Sequence, residues 1–216
     1  TVLTSNPLKE ALLKEYSEVE SATQFFHRDQ VPVEYNNKQF VEDRVFYTGT
    51  DFFKVFTFPL IKGNPENILS QPNQVVLTQS MARKYFGNED PVGKMISMQG
   101  DKPYRVTGIC EDVPDNSHFH FDFLVSYCSS EKSKDIRWTN SNVYTYFTLR
   151  KGVDPQAFEE KLNLLVEEYL GPQVVEWLGI DLQEFKKRGN SYGFLMQPLE
   201  KIYLHSDIKD EIEPVS

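Results

Sequence analysis

The sequence predicts an α+β fold: a split α/β sandwich subdomain, made of two strand-helix-strand units from the two chain ends, with an inserted β-rich subdomain. Two observations predict it. Helical apolar periodicity beside extended runs occurs near both ends of the chain. Between them lie short runs of β-branched and aromatic residues, separated by turn residues. We expect residues 1–32 and 126–216 to form the split subdomain and residues 33–125 to form the inserted one.

The first unit begins with residues 4–20, which predict an amphipathic helix. Asn6 is a candidate N-cap, and Pro7 suits the first helical position because its missing N–H would be unpaired there in any case. The run Ser21–Phe26 that follows predicts the next strand.

A predicted hairpin and a strongly aromatic stretch come next. Val31–Tyr47 alternates loosely between apolar and polar residues, and its Asn36-Asn37 pair favours a turn. The aromatic residues of Asp51–Leu60 cannot all lie on one face of a strand, so a helical turn leading into an edge strand fits better. Pro59 excludes a central strand position. Packing in the core is favoured for this stretch; a docking surface is the alternative if the rings are exposed.

The stretch from Asn73 to Gly93 predicts a strand, a helix and a turn with clear boundaries. Val75–Leu77 is a short apolar run typical of a buried strand. Thr78 can cap the helix that follows, and Gly87 can end it in a left-handed conformation. The apolar face of that helix consists of Met81, Ala82, Tyr85 and Phe86.

The end of this stretch, Gly87–Lys94, superficially resembles a phosphate-binding loop. It has five residues instead of four between its glycines, and Met95 stands where Ser or Thr should ligate magnesium. The predicted helix precedes the loop instead of following it, and Glu89 and Asp90 would repel a phosphate. The pattern therefore indicates a helix end and the start of a strand.

Two further strands, Lys94–Met98 and Tyr104–Asp112, are expected on either side of a turn near Gly100-Asp101. Strict alternation assigns one face of the second strand to Tyr104, Val106, Gly108 and Cys110, and the other face to Arg105, Thr107, Ile109 and Glu111. A loop over residues 113–122 then leads to a strand at Phe123–Tyr127.

The C-terminal part repeats a strand and a helix. Val143–Leu149 predicts a strand, and Asp154 caps a helix that has Pro155 at its first position and ends at Gly171. After an irregular, partly helical stretch, we expect a strand at Tyr192–Pro198 and an extended segment at Ile202–Ser206. The acidic tail, residues 207–216, is expected to be loose.

Charge and cysteine content exclude several function classes. The 216 residues contain 32 acidic and 23 basic side chains, a net charge of −9, which argues against nucleic acid or an anionic membrane surface as a partner. Two cysteines, Cys110 and Cys128, give neither a disulfide framework nor a four-ligand zinc site. They can pair if the chain folds back between them, but free buried thiols are as well supported.

The sequence shows neither a membrane span nor a signal peptide. No run approaches the roughly 18–20 apolar residues that cross a bilayer. The chain begins at Thr1 without a methionine, and we expect it to be a piece excised from a longer protein.

The best candidate for chemistry is the pair His118 and His120. Two histidines one residue apart on a strand point the same way and can share a zinc ion, with a carboxylate completing the site. The opposing interpretation is a tight loop in which Ser117 and His118 form hydrogen bonds. The neighbouring carboxylates are Asp112, Asp115 and Asp122, and the aromatic side chains that fill the core in the opposing interpretation are Phe119, Phe121 and Phe123.

Nucleophilic catalysis has little support in the sequence. There is no Gly-x-Ser-x-Gly motif, and no base can be named for either cysteine. His27 and His205 are too isolated in the sequence to extend the metal hypothesis. The residues therefore propose no reaction, and we predict no catalytic, cofactor-binding or metal-binding residue.

An ordered series of segments resembles the periplasmic core domain of MacB/FtsX-like ABC transporter permeases. Each segment alone is weak, but their order and spacing cover nearly the whole chain, and two of them look most like versions common in Bacteroidetes-type bacteria. The segments are Asp51–Asn64, Val75–Gly87, Asp90–Lys94, Tyr104–Pro114, Asn116–Leu124 and Pro198–Ile208.

The resemblance implies a fold and a place in a larger protein. Such a domain lies between the first two membrane helices of a four-helix permease, on the periplasmic face of the inner membrane. It has a split, porter-like α+β subdomain and an inserted, sabre-like β-rich subdomain. The permease usually dimerises and couples to a cytoplasmic ABC ATPase, and ATP hydrolysis then moves the periplasmic domains.

The resemblance also implies a non-catalytic role with several possible partners. Members act in peptide or antibiotic efflux, lipoprotein release or activation of cell-wall hydrolases, so a periplasmic adaptor, a lipoprotein carrier or a cell-wall hydrolase is a candidate partner, besides a second permease copy. Two alternatives stay open: a secreted metal-dependent hydrolase that uses His118 and His120, and a stand-alone periplasmic binding or sensor domain, which needs a closed pocket of a few hundred Å3.

Overall fold

The computed structural model describes residues 2–98, 100, 102–189 and 192–205, and its architecture is α+β. The strands in this part of the chain are β1 (Thr4–Ser5), β2 (Val19–Arg28), β3 (Val31–Tyr35), β4 (Lys38–Glu42), β5 (Val45–Thr48), β6 (Leu60–Lys62), β7 (Gln74–Thr78), β8 (Met95–Met98), β9 (Lys102–Cys110), β10 (Phe123–Ser126) and β11 (Ser141–Leu149). The helices are α1 (Leu8–Glu15), α2 (Phe52–Val55), α3 (Gln79–Phe86), α4 (Pro155–Leu165), α5 (Gly171–Leu178), α6 (Leu182–Lys187) and α7 (Leu199–His205).

All these strands join in one mixed sheet with the order β1-β11-β2-β5-β10-β7-β9-β8-β3-β4, and β6 pairs with β9 beside that path. The pairs β5–β10 and β7–β9 are parallel, and the other pairs are antiparallel. Strand β2 therefore lies directly beside β5, so hydrogen bonds continue across the expected boundary near residue 32. The division into residues 1–32 with 126–216 and residues 33–125 stays a prediction.

The two faces of the sheet carry separate apolar clusters because successive residues of a strand point to opposite faces. Phe26 belongs to the central cluster and Phe25 to the aromatic cluster. The central cluster includes Phe26, Val33, Tyr47, Leu77, Tyr85, Tyr104, Val106 and Phe123. The aromatic cluster includes Phe25, Phe46, Phe52, Phe56, Phe119, Phe121 and Tyr144.

A third cluster, the chain-end cluster, brings together helices from both ends of the chain. Leu8 and Leu12 of α1 pack in one core with Phe158 and Leu162 of α4. The cluster also contains Val19, Ala22, Trp138, Leu165, Val166, Leu170 and Val174. The expected packing of the first and last helical units in one layer is therefore confirmed.

The predicted strand-helix-turn stretch is confirmed in detail. Thr78 is extended and precedes α3, and its hydroxyl accepts a hydrogen bond from the Met81 N–H at 3.5 Å. The helix is followed by Gly87, whose φ of 63° is favourable for a residue without a Cβ. The Asn36-Asn37 turn and the helical turn after Asp51 are confirmed as well.

The predicted cap at Asn6 is wrong. Helix α1 has Pro7 at its cap position, without a side-chain hydrogen bond. The Asn6 amide instead donates to the backbone oxygen of Asp135 at 2.7 Å and accepts from Gln24 Nε2 at 2.7 Å and Tyr127 Oη at 2.6 Å. These partners lie far away in the sequence, so the local pattern could not reveal them.

The predicted alternation along β9 holds as far as Val106 and then fails. The register with β7 shifts between Val75, opposite Val106, and Val76, opposite Gly108, which leaves Thr107 as an extra residue. Because an extra residue reverses the faces beyond it, Ile109 joins the central cluster with Tyr104 and Val106.

The predicted helix end at Gly171 is wrong, although the Asp154 cap is confirmed. Helix α4 passes through a π-helical turn, Val166–Leu170, into α5, and Gly171 has a helical φ of −50°. The helical path ends at Gly179, whose φ of 68° is left-handed. The sequence contains two glycines with the same local signal, and packing decides between them.

The predicted strand at Tyr192–Pro198 is also wrong, because this segment pairs with no strand in the described part of the chain. Side chains of α4 replace the sheet partner: Asn163 Oδ1 accepts from the Phe194 N–H at 2.9 Å. The expected extended segment at Ile202–Ser206 is helical as far as His205. The remainder of that segment and the tail, residues 207–216, lie outside the described residues.

Candidate functional site

The histidine pair of the metal hypothesis lies in the loop between β9 and β10. His118 Nε2 is 3.1 Å from the hydroxyl oxygen of Tyr146 on β11. His120 Nδ1 is buried without a hydrogen-bond partner. The loop is not a strand at these positions, so the alternation that would aim both imidazoles at one ion does not apply.

The three carboxylates that neighbour the histidine pair in the sequence lie in different environments. Asp112 accepts hydrogen bonds from the N–H and the hydroxyl of Ser80, at 2.9 and 2.7 Å, in the first turn of α3. Burial raises the pKa of the half-buried Asp122, and the guanidinium of Arg44 opposes that shift. Asp115 is exposed.

A shared metal site is therefore not assembled by this part of the chain. Among the described residues, no group of three histidine, cysteine, aspartate or glutamate side chains lies close enough together to hold an ion. The packing interpretation of the same loop is confirmed, because Phe119, Phe121 and Phe123 are buried.

A cleft of about 540 Å3 lies beside this loop, on the aromatic cluster. Phe56, Phe58 and Phe119 form its apolar wall, and Glu111 and Glu200 are among its acidic lining residues. The cleft therefore combines aromatic rings with negative charge. For the aromatic stretch Asp51–Leu60, the sequence left open whether the rings pack in the core or form a docking surface. Phe52 and Phe56 are buried, so the core interpretation is confirmed for these two side chains.

Neither cysteine forms a disulfide, and their environments differ. Cys110 is buried in the aromatic cluster, and burial raises the pKa of its thiol to about 12. Cys128 is exposed. The thiolate is the reactive form of cysteine. Cys110 is therefore protected from reaction because it is buried and because its raised pKa keeps it protonated.

The loop that resembles a phosphate-binding motif is held by ion pairs. The Lys94 ammonium pairs with Glu89, and the Asp90 carboxylate accepts from Lys62 Nζ at 2.8 Å and from the Val92 N–H at 3.1 Å. The charge of Lys94 is therefore already neutralised by Glu89, and the loop carries the carboxylates of Glu89 and Asp90, which would repel a phosphate. The geometry supports the sequence-based rejection of a phosphate site there.

Several large apolar side chains are exposed near the C-terminal end of the described chain, a feature that the sequence analysis missed. Trp177 is 76% exposed and Leu195 is 87% exposed. Leu164, Val175 and Leu178 on α4 and α5 are exposed as well. The helical periodicity of residues 171–178 was the signal that could have revealed this surface.

Both ends of the described chain lie at the same aromatic cluster. Val2 and Leu3 pack against it, and Leu199 and Glu200 line the cleft on its surface. Strand β1 also pairs with β11 at Thr4, which brings the beginning of the chain next to its C-terminal part. Among the residues that the structure describes, no helix has both the length and the apolar character that a membrane span requires.

Comparison with known proteins gives a consistent set of similarities. Residues 3–165 match the model of the family described as MacB-like periplasmic core domain. A curated relative, the macrolide export ATP-binding/permease protein MacB of Aggregatibacter actinomycetemcomitans, is 34% identical over 79 residues. That match covers 35% of this chain and 12% of the relative, so the chain spans a small part of that protein's length.

Three solved structures share the fold. A domain assigned to a permease protein of Porphyromonas gingivalis has a TM-score of 0.69 at 24% identity, covering 78% of this chain and 79% of that one. The periplasmic region of MacB from Actinobacillus actinomycetemcomitans has a TM-score of 0.59 at 19% identity, covering 88% of this chain and 85% of that one. The extracellular domain of the ABC-type transporter YknZ from Gram-positive bacteria has a TM-score of 0.58 at 16% identity, covering 77% of this chain and 84% of that one.

Proposed function

The chain belongs to the MacB-like periplasmic core domain family, and on that premise we propose that it is the extracytoplasmic domain of an ABC transporter permease subunit. It lies at the periplasmic face of the inner membrane and catalyses no reaction. ATP hydrolysis by a cytoplasmic ABC ATPase moves it, and this movement acts on a substrate or a partner protein.

One structural observation carries this proposal: each of the two ends of the described chain lies against the aromatic cluster. Val2 and Leu3 pack there, and Leu199 lines the adjoining cleft. A domain inserted between two membrane helices has to receive and return the chain on one side. The convergence of the ends supports such an insertion, and a movement of the membrane helices would then reach the sheet through β1 and β11.

The proposed assembly contains a second copy of the permease and the ATPase, joined through membrane helices. The curated relative is named for macrolide export, which makes efflux one candidate role. Lipoprotein release and regulation of cell-wall hydrolases are the others, with a lipoprotein carrier, a hydrolase or a periplasmic adaptor as partner. The acidic surface of the chain, with a net charge of −9, makes nucleic acid an unsuitable partner.

The test measures movement in the full-length permease with its ATPase in membranes. Ile136, which is 80% exposed, is changed to cysteine in a Cys128→Ser background and carries a spin label. Cys110 is buried and stays unlabelled. In a dimer one label per copy gives an intermolecular distance, and we expect its distribution to change between the ADP-bound state and the state trapped with an ATP analogue.

The control is the same labelled permease with an ATPase that binds nucleotide but cannot hydrolyse it, examined in the presence of ATP. It should stay in the ATP-bound distribution. A distance distribution that is identical in every nucleotide state, while ATP is being hydrolysed, would show that the domain does not move and would overturn the proposal.

The hydrolase alternative is tested separately by metal content. The purified chain and its His118→Ala/His120→Ala variant are titrated with zinc. One equivalent of tightly bound zinc in the parent, absent from the variant, would favour the hydrolase over the mechanical domain. We expect equal weak binding in both, because Asp112 is engaged by Ser80 and His118 by Tyr146.

A further inference from the structure

Two cations from distant parts of the chain meet at the edge of the central cluster. Arg28 ends β2, and its Cζ atom lies 5.9 Å from the ring centroid of Phe26 and 5.6 Å from that of Tyr47. Lys132, in a short 3-10 turn at Glu131–Lys134, places its Nζ atom 4.2 Å from the Phe26 centroid. Strand pairing sets Phe26 opposite Tyr47, and their rings stack at 4.7 Å.

The two cations have no acidic partner in the part of the chain that the structure describes. Cations in the same part of the sequence as Lys132 are neutralised: Lys134 contacts Glu131 at 2.9 Å, and Arg137 contacts Asp135 at 2.8 Å. Carboxylate partners within 4 Å are also found for Lys9, Lys54, Lys62, Lys84, Lys94, Lys161 and Arg188. What sets Arg28 and Lys132 apart is that both cations lie at the ring of Phe26, so that their charges are held near each other.

Keeping these charges together costs free energy. Burial lowers the pKa of Lys132, and the positive charge of Arg28 lowers it further. The aromatic faces attract each cation, but they do not remove the repulsion between the two. An anion placed between the cations would remove that repulsion.

A buried hydroxyl, that of Tyr47, lies close to Arg28. The Tyr47 hydroxyl is buried and has no hydrogen-bond partner of normal geometry, although the Tyr104 hydroxyl is near enough to affect its pKa. Arg28 is close enough to act on the pKa of both tyrosines. Because the contact with Tyr104 does not have the geometry of a full hydrogen bond, the Tyr47 hydroxyl would gain from an acceptor that reached it.

We propose that Arg28 and Lys132, with the Tyr47 hydroxyl beside them, form a binding site for a phosphate-class anion. The guanidinium offers paired donors in one plane, whereas the Lys132 ammonium approaches as a point charge from a different element. Donors that converge from different directions suit the tetrahedral oxygens of a phosphate better than a planar carboxylate. This site is distinct from the Gly87–Lys94 loop, whose lysine is paired with Glu89.

The phosphate can belong to a soluble molecule or to a lipid headgroup. We expect a soluble phosphate or phosphate ester, because the acidic chain as a whole is repelled by an anionic bilayer. The inference does not depend on the proposed movement of the domain.

The test is a titration of the 216-residue chain with inorganic phosphate, with sodium chloride added to keep the ionic strength constant. The amide and side-chain Nε resonances of Arg28 are followed by NMR. We expect a saturable shift with phosphate and a weaker response with acetate. Arg28→Gln and Lys132→Gln should each weaken the apparent affinity about tenfold, as expected for one lost charge-assisted contact.

Lys134→Gln is the matched control, since it removes the same charge two residues away from a lysine that already pairs with Glu131. It should leave the phosphate affinity unchanged. Equal weakening by Lys134→Gln, or acetate binding as tight as phosphate binding, would overturn the site.

A second arm identifies the source of the phosphate. Vesicles of phosphatidylglycerol and of phosphatidylcholine are compared for sedimentation of the chain. We expect neither to bind. Binding to phosphatidylglycerol that Lys132→Gln abolishes would overturn the soluble source and assign a lipid headgroup.

Discussion

Asn6 joins three parts of the molecule through one amide group. Its nitrogen donates to the backbone at Asp135, and its oxygen accepts from Gln24 of β2 and from Tyr127. Gln24 is buried and Tyr127 is part-buried, so their polar atoms depend on this partner. The consequence is that one side chain fixes the position of the turn at 127–134, which also carries Lys132.

Changing Asn6 to Ala should therefore lower the free energy of unfolding by about 3 kcal/mol, because it leaves buried donors without an acceptor. The measurement is urea denaturation followed by far-UV circular dichroism. Asn88→Ala, at an exposed position after α3, is the control and should change stability by less than about 0.5 kcal/mol. Equal effects of the two substitutions would contradict the role assigned to Asn6.

Asp122 is the residue for which the structure implies a dependence of stability on pH. Burial raises the pKa of its carboxyl in the folded state, so the folded chain holds the proton more tightly than the unfolded chain. This group contributes its full stability below the unfolded pKa of about 3.9 and loses it as the pH rises through the folded pKa.

Asp122→Asn should thus be more stable than the parent at neutral pH, and its advantage should shrink as the pH falls towards 4, since the parent carboxyl is then protonated. Thermal unfolding across the pH range measures this. Asp115→Asn, at an exposed position in the same loop, is the matched control. A stability difference that does not change with pH would refute the assignment.

Residue roles could be predicted where the partner is local. Thr78 and Asp154 cap the helices that directly follow them, and both were identified from the sequence. Asp112, which supports α3 through Ser80, and the pair of Arg28 with Lys132 depend on contacts between distant segments. A single sequence carries no signal for such contacts between distant segments.

At the scale of elements, the segment after α6 is held by side chains instead of strand pairing. Asn163 Oδ1 accepts from the Phe194 N–H, and the Glu159 carboxylate accepts from the Met196 N–H at 2.5 Å. The Cβ of a residue at Gly193 would approach Asn163 Oδ1 to 2.9 Å, so a larger residue there would displace the Asn163 carboxamide.

Asn163→Ala should therefore release this segment while α4 remains folded. We expect faster amide hydrogen exchange at residues 193–196, with little change in α3, which packs in the central cluster instead. Gln156→Ala, at an exposed position of the same helix, is the matched control. Unchanged exchange at Phe194 in Asn163→Ala would show that other contacts hold the segment.

The elements that sequence analysis placed wrongly share a physical cause. A single extra residue at Thr107 reverses the faces of β9, and periodicity has no sign of it. The π-helical turn before Gly171 keeps the helical path continuous where a glycine favours an end. In both cases packing overrides a local preference.

At the scale of the whole molecule, one sheet connects the two expected subdomains. Strand β2 pairs with β5 from Phe25 to Arg28, and β10 pairs with β5 and β7. The α+β class and the joint layer of terminal helices followed from periodicity. The continuity of the sheet did not, because strand order depends on pairings between distant segments.

We predict that the two expected subdomains unfold together. Both tryptophans, Trp138 and Trp177, lie within residues 126–216, so fluorescence reports that part, whereas far-UV circular dichroism reports all strands. Urea transitions from the two probes should coincide, because separating β2 from β5 would expose unpaired strand edges. Trp177→Phe removes the exposed fluorophore and should not shift the midpoint. Two distinct midpoints would contradict the prediction and support independent subdomains.

The short strand β1 determines how the protein would respond to a pulling force. Its pairing with β11 involves Thr4 and Ser5, whereas β11 pairs with β2 from Val19 to Phe25. Tension applied through the beginning of the chain would reach the short β1–β11 contact first and detach it before the longer β2–β11 contact. Small displacements would therefore be transmitted to the sheet. A large displacement would detach β1 from β11 and leave the rest of the sheet intact.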